Sequence, residues 1–422
     1  MKVMIISTVY PYPKDNGKKI ILSSILEYFI EFYGADKITY VLLDDDKIEN
    51  VYDINLLQVN KPKAFEQIKN VISRTILTRK FSLQESFTYS KHLKNIVIKY
   101  IKKEKIDLVI YDTLRIFQMF EDNNLQNVKE IIYLDDLFSI RYQKMIDVLD
   151  KLGNIDLNPL GNFKKFIPKP FQKIVRFNLF NRFLLSYERN LIMDRENKIV
   201  NKVDISLLIS KKEVEILKSR TGNSNIYAIP PLLPGSKERY NRNYRGAPDF
   251  IFLGSLNIPH NDVAICNFIN ENFPSILKEI PDLKLKIIGR NPSDTLKKLA
   301  IKYSNNIILM GFIDNLEEVF NSACAMIVPL LFGSGVKLKT LEAFSYGLPV
   351  ICTDFGIEGI DIEAEGCIVE NDIKKYSQHM KKLTNIDYNN KISKTLFKKY
   401  MENYSKEAVY DTYKDIFKIG GN

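Results

Sequence analysis

The sequence predicts an α/β protein built from two doubly wound parallel-sheet domains in series. Three observations carry that expectation. Short apolar runs alternate with helical segments through both halves of the chain. Loops bearing glycine or carboxylate residues follow several of these runs, at the strand ends where open α/β sheets bind ligands. A stretch with three prolines, YAIPPLLPG at 227–235, separates the halves and reads as a linker. A chain of 422 residues is long enough for two such domains, each with its own core.

In the first half, residues 3–7 read as a buried strand and 8–19 as a loop with two prolines and Gly17. Residues 20–32 read as a helix. The glycine lies where such sheets bind ligands, but the same residues also make an ordinary βα turn. Residues 38–43 form the next strand. Asp44, Asp45 and Asp46 follow it and read first as a solvated charged loop, with a metal-binding cluster as the alternative. Residues 47–105 are helix-rich and amphipathic. Two further strands, 108–111 and 131–134, end in Asp112 and in Asp135 and Asp136. Asp112 or Asp135 could therefore meet a substrate hydroxyl, or simply serve as a helix cap.

Residues 153–185 interleave Lys and Arg with Phe, Ile and Leu. A basic amphipathic helix over 171–185 would lie on an anionic membrane, or pack its Phe side on the domain. A strand at 205–209 closes this half.

The second half repeats the pattern. The strand 250–253 leads into Gly254, Ser255, Leu256 and Asn257. Pro259, His260 and Asn261 then precede a helix over 262–273. The strand 285–288 is closed by Gly289 and Arg290, and 307–310 by Gly311, Phe312 and Ile313. An apolar run ending at Pro329 is followed by Gly333, Ser334 and Gly335, a helix over 338–346, Gly347 and a strand over 348–353. A last strand covers 367–369, and 372–417 reads as helices.

The loop at 333–335 has a chemical use. Two glycines let backbone N–H groups approach a ligand, and the helix after them offers unpaired donors and a partial positive charge. Lys337 opposes the dipole of that helix, and a phosphate nearby would account for it. Glu342, one turn further, suits sugar hydroxyls. The plainer alternative is a capped helix with a surface Lys and Glu.

Composition narrows the function classes. No run of 18 apolar residues suggests a membrane span, and the start MKVMIISTVYP reads as a first strand, not a signal peptide. The four cysteines lack metal-type spacing and read as buried free thiols in a reducing cytoplasm. The three histidines are too scattered for a His-rich metal site. The net charge of +10 suits phosphorylated substrates or an anionic membrane face. No nucleic-acid motif accompanies it.

Taken together, FLGSLNIPHN, PDLKLKIIGRNP, ILMGFIDNLEEVF and MIVPLLFGSGVKLKTLEAFSYGLPVICTDFGIEGI resemble the nucleotide-sugar domain of glycosyltransferase family 4, in the branch with a GSG-[TV]-[RK]-LK-x-LEA signature. The resemblance covers 250–370 well. It is weaker over 1–240, where the first loop with Gly17 and the segment IIYLDDLFSIRYQ still match.

It implies the GT-B fold, two Rossmann-like domains with the active site between them. The boundaries expected are 1–230 for the acceptor-side domain and 231–400 for the nucleotide-sugar domain, with 401–422 returning to the first. It also implies retaining transfer from a nucleoside-diphosphate sugar to a glycan or lipid-linked acceptor, without a metal or other cofactor. Such an enzyme would be cytoplasmic and would attach to the inner membrane face through residues 153–185.

Carried over by position, Gly254, Ser255, Asn257 and His260 approach the diphosphate, and Gly17 does so from the first domain. The backbone of Ser334, Gly335, Val336, Lys337 and Leu338, with the Lys337 side chain, binds phosphate. Glu342 holds the ribose, and Gly289, Arg290 and Ile313 surround the base. Lys337 and Asp112 are the residues expected to serve catalysis.

The sequence departs from the family in two places. Ser334 occupies the position of a common glutamate that contacts the donor sugar. The loop after the FLG strand lacks the usual basic pair, leaving His260 as its one potential charge. Two readings compete with a transferase. One is a non-catalytic accessory GT-B subunit binding a partner enzyme or glycan. The other is a hydrolase or epimerase acting on the nucleotide sugar.

Overall fold

Every residue of Val3–Ser7 (β1) is buried, as in a strand covered on both faces. A computed structural model of the chain describes residues 1–123, 125–152, 178–235, 239–332 and 335–418. In it β1 pairs in parallel with Ile38–Leu43 (β2) on one side and Leu108–Asp112 (β4) on the other. Asn55–Val59 (β3), Lys129–Asp135 (β5), Ile205–Leu208 (β6) and Ile226–Ala228 (β7) complete a parallel sheet of order β3-β2-β1-β4-β5-β6-β7.

The second sheet repeats the design with Asp249–Leu253 (β8), Lys284–Ile288 (β9), Ile307–Gly311 (β10), Ala325–Val328 (β11), Val350–Cys352 (β12) and Cys367–Val369 (β13). Its order is β10-β9-β8-β11-β12-β13, again all parallel. Alternation along its strands builds a core on each face. Phe250, Phe252, Ala325 and Ile327 pack on one side, and Ile251, Met326 and Val328 on the other. In each sheet the order reverses beside the first strand, between β1 and β4 and between β8 and β11. Ligands of doubly wound sheets bind outside the carboxyl ends of the strands at such a point.

The chain divides into two compact units, Met1–Pro231 with Thr412–Asn422, and Leu232–Asp411. The return to the first unit therefore begins at Thr412, not at 401. The physical reason is burial: Tyr400 and Tyr404 belong to the second unit's core. In the first unit, Tyr413 and Phe417 of the last helix, Lys406–Lys418, pack on the first helix, Gly17–Tyr33. The Tyr28 and Tyr413 ring centroids are 5.5 Å apart, and those of Phe29 and Phe417 4.8 Å.

Several sequence expectations change. The segment 47–105 contains β3, an edge strand whose polar Asn55 and Gln58 are exposed and interrupt the apolar signal. The helix expected to stop at 273 runs over Pro259–Glu279, through Pro274, because Phe273, Ile276 and Ile280 continue its buried face. Asp44 is not in a solvated loop. It is buried, pairs with Lys61 at 2.5 Å and accepts from the backbone N–H of Asp45 at 2.8 Å.

Most of the segment 153–185 lies outside the described residues. Its end opens the helix Asn178–Ile199, where Phe183 is exposed and Leu185 buried. Cys266, Cys324 and Cys352 are buried free thiols, and Cys367 is half-buried. Among the described residues, no helix is long and apolar enough to cross a membrane.

Candidate functional site

The carboxyl ends of β8 and β11 flank the switch point of the second sheet, and most of the expected site residues gather there. Gly254 follows β8 directly. A Cβ on it would meet the side chain of Asn261 at 2.9 Å, so glycine lets that side chain close over the loop. Asn261 Nδ2 donates to the Ser255 carbonyl at 3.0 Å, and its Oδ1 accepts from Lys339 Nζ at 2.7 Å. Ser255 Oγ donates to Asn257 Oδ1 at 2.6 Å, and both residues are exposed. Gly289 is required by close approach, because a Cβ there would lie 1.9 Å from the Gly254 carbonyl oxygen. Next to it, the Arg290 guanidinium stacks 3.8 Å from the ring centre of Phe312. Ile313 is half-buried against the core, so this edge presents Arg290 and Phe312 more than Ile313.

The helix Leu338–Ser345 begins after the β11 loop, with Lys337 at its N-cap. Gly335 takes a positive φ of 77° with open space where a Cβ would stand. Gly333 and Ser334 lie outside the described residues.

The N–H and the ammonium of Lys337 are both engaged within the protein. The Lys337 N–H donates to the Glu358 carbonyl at 3.2 Å, so it is already used. The Lys337 ammonium is buried, donating to the Gly335 carbonyl at 2.6 Å and lying 3.5 Å from Glu358 Oε2. Its contacts fasten the glycine loop to the segment beyond β12. The side chains of Val336 and Leu338 are likewise structural: Val336 packs against Gly359 and Leu338 against the core.

Lys339 is the cation that sequence reasoning passed over. It lies two residues beyond Lys337 and is half-buried, its Nζ 5.2 Å from the Phe252 ring centre. Burial, with the neighbouring Lys337, pushes its pKa down to about 7. Those two lysines and, first, burial push His260 down to about 4, which leaves the imidazole neutral at pH 7. Glu342, three residues after Lys339, is half-buried and its carboxyl is pushed up by burial. Among the described residues its carboxylate has no hydrogen-bonding or ionic partner. The i, i+3 spacing of Lys339 and Glu342 was the available sequence signal.

The first unit has its own cluster at the switch point between β1 and β4. Asp112, fully buried at the end of β4, accepts from Ser7 Oγ at 2.6 Å and pairs with Lys18 Nζ at 2.8 Å. Gly17 and Lys18 open the helix Gly17–Tyr33, capped by the Asn16 side chain. Burial lowers the Lys18 pKa, and Asp112 opposes that shift. Thr113 and Asp135 hold φ values of 67° and 72°, and such strain persists where the surroundings over-determine it. Asp135 accepts from Tyr133 Oη at 2.9 Å, and burial pushes its carboxyl up. Among the described residues, no group of three or more His, Cys, Asp or Glu side chains is placed to hold a metal ion.

Residues 247–385 match the family model described as glycosyl transferases group 1. That span holds the whole cluster around Gly254, Lys339 and Glu342. Across nearly the entire chain the sequence is 23% identical to a Klebsiella pneumoniae protein described as an uncharacterized 44.6 kDa protein in the cps region, covering 97% of this chain and 98% of that one.

Two crystal structures share the architecture. TarM has a TM-score of 0.61 at 12% identity, covering 99% of this chain and 98% of its own. HepE of Anabaena, in complex with UDP and glucose, has a TM-score of 0.58 at 10% identity, covering 99% and 100%. The chain has the GT-B fold, and the group 1 match lies within its second unit.

Proposed function

We propose that the protein is a retaining glycosyltransferase. It moves a hexose or related sugar from a nucleoside diphosphate to a glycan or lipid-linked acceptor, in the synthesis of a bacterial surface polysaccharide or glycoconjugate. One observation carries this reading. Within the span of the group 1 match, the half-buried Lys339 and the unpartnered Glu342 stand one turn apart at the switch point, beside a glycine loop. The cation suits a diphosphate and the carboxylate suits ribose hydroxyls. The Arg290–Phe312 pair offers a flat surface for a base. The UDP and glucose bound by HepE and the cps region named for the Klebsiella relative are consistent with it.

In this reading no metal is needed. Cleavage of the sugar–phosphate bond leaves charge on the diphosphate. Lys339 and oriented backbone donors stabilise that charge as it develops. Lys337 keeps the glycine loop in place. The acceptor hydroxyl attacks on the face that the leaving group vacates and passes its proton to the departing diphosphate, which preserves the anomeric configuration. Asp112, Lys18 and Ser7 form the candidate acceptor-side cluster of the first unit. Transfer takes place at the cytoplasmic face of an anionic membrane.

The test is thermal unfolding against UDP, GDP, TDP, ADP and CMP, with Glu342→Ala alongside. A nucleotide at about 100 times its dissociation constant adds roughly 2.7 kcal/mol. A rise in midpoint with one nucleoside diphosphate, strongly reduced in the variant, is expected. No rise with any of them overturns the reading in favour of an accessory GT-B subunit.

A further inference from the structure

The helix Ala64–Asn70 continues into the π-helical segment Val71–Leu77, and together they are amphipathic the wrong way round. The face toward the domain is polar. Buried Gln67 donates to the Phe87 carbonyl at 3.2 Å, and Asn70 donates to that of Tyr89 at 3.0 Å. Arg74 donates to Gln118 Oε1 at 2.8 Å between the rings of Phe81 and Tyr89. Buried Thr75 meets Ser86 Oγ at 2.7 Å.

The outward face is apolar. Phe65, Ile72, Ile76 and Leu77 keep 79%, 48%, 56% and 74% of their surface exposed. Half-buried Ile68 completes a stripe with Phe65, Ile72 and Ile76 at helical spacing. Phe183, 70% exposed, stacks on Tyr187 at 6.5 Å, and Tyr187 Oη donates to the Thr75 carbonyl. Phe183 is thus tied through Tyr187 to the backbone of the same helix.

We infer that this stripe is the surface by which the protein docks on an anionic lipid bilayer. An exposed apolar row of this length on a domain surface needs an occupant. Charge identifies the occupant. Lys63, Lys69, Arg79 and Lys80 are exposed around the row, and Glu66 is the sole carboxylate within residues 63–80. Aromatic and aliphatic side chains flanked by lysine and arginine suit the boundary between acyl chains and anionic headgroups. The inference rests on the membrane-surface part of the proposed function and assigns it to residues 64–80.

The test uses the full chain and flotation with vesicles of phosphatidylglycerol and phosphatidylcholine, against phosphatidylcholine alone. The wild type floats with the anionic vesicles and not with the neutral ones. Phe65→Ser/Ile72→Ser/Ile76→Ser lowers partitioning by about tenfold or more, and Arg79→Gln/Lys80→Gln lowers it by a similar factor.

The sequence has no tryptophan, so Phe65→Trp gives a single reporter whose emission shifts to the blue on anionic vesicles. If the wild type floats while the triple variant floats equally well and the reporter stays unshifted, this surface is overturned and the membrane reading survives. No flotation of the wild type overturns both. A wild type that dimerises without vesicles, through a contact the triple variant loses, assigns the stripe to a second copy and also overturns the inference.

Discussion

Lys18 Nζ stands 2.8 Å from Asp112 Oδ1, joining the first turn of the first helix to the end of β4. Both groups are largely out of water, and a buried charge that loses its partner is costly. Asp112→Asn keeps the shape and an acceptor for Ser7 Oγ but removes the charge. Its unfolding free energy in urea should fall by on the order of 3 kcal/mol. Adding Lys18→Met should recover more than half of that loss. Additive losses would mean that the two residues are not coupled.

Lys339 should make nucleotide binding depend on pH. Its folded pKa of about 7 lies below its ordinary 10.5. Between those values the unfolded chain holds a proton that the folded one lacks, so this group makes stability rise with pH across that window. A bound diphosphate favours the charged lysine, so binding takes up a proton and affinity falls by up to about tenfold per pH unit above 7. Calorimetry in buffers of different ionisation enthalpy measures the uptake, and Lys339→Met should abolish it.

Gly289→Ala should destabilise the second unit by about 3 kcal/mol. The new methyl would stand 1.9 Å from the Gly254 carbonyl oxygen, so the two loops must separate. Chemical denaturation would record the loss. Nucleotide binding should weaken with it, because both loops belong to the site.

Glu188 gives a second pH signature, in the first unit. Burial pushes its carboxyl from 4.5 to about 7, although it accepts from the N–H groups of Leu83 and Gln84. Here the folded state holds the extra proton. Its contribution is fully present below pH 4.5 and is lost as pH rises through about 7. A shift of that size corresponds to roughly 3 kcal/mol. Glu188→Gln should flatten the fall in unfolding free energy between pH 5 and pH 8.

Much of the second unit was legible in the sequence because its strands are short apolar runs punctuated by glycine. The loops at Gly254, Gly289 and Gly335 lie where those runs end. The partners of the charges were not legible. Lys337 and Lys339 are chemically alike and two residues apart, yet one is tied to Glu358 and the other meets Asn261, a distinction made by chain segments distant in sequence. The segment 47–105 reads as helix-rich and amphipathic without bounds or a direction for the 64–77 helix, because the pattern gives the period and not the side facing the core. Only the polar groups of Phe87, Tyr89, Gln118 and Ser86 make its polar side the inner one. β3 escaped notice because an edge strand with exposed residues lacks the apolar run that marks its neighbours.

The last helix has a consequence for how the protein is made. Tyr413 and Phe417 complete the cover over Tyr28 and Phe29, and Tyr413 Oη donates to the Pro230 carbonyl at 2.7 Å. During synthesis the first half leaves the ribosome long before these residues exist. At about 5–20 residues per second, the intervening unit takes on the order of ten seconds or more to appear. Throughout that interval an aromatic face of the nascent domain stands bare, a natural grip for a chaperone. A message cut short just before residue 412 would yield a chain whose second unit is whole but whose first can never close.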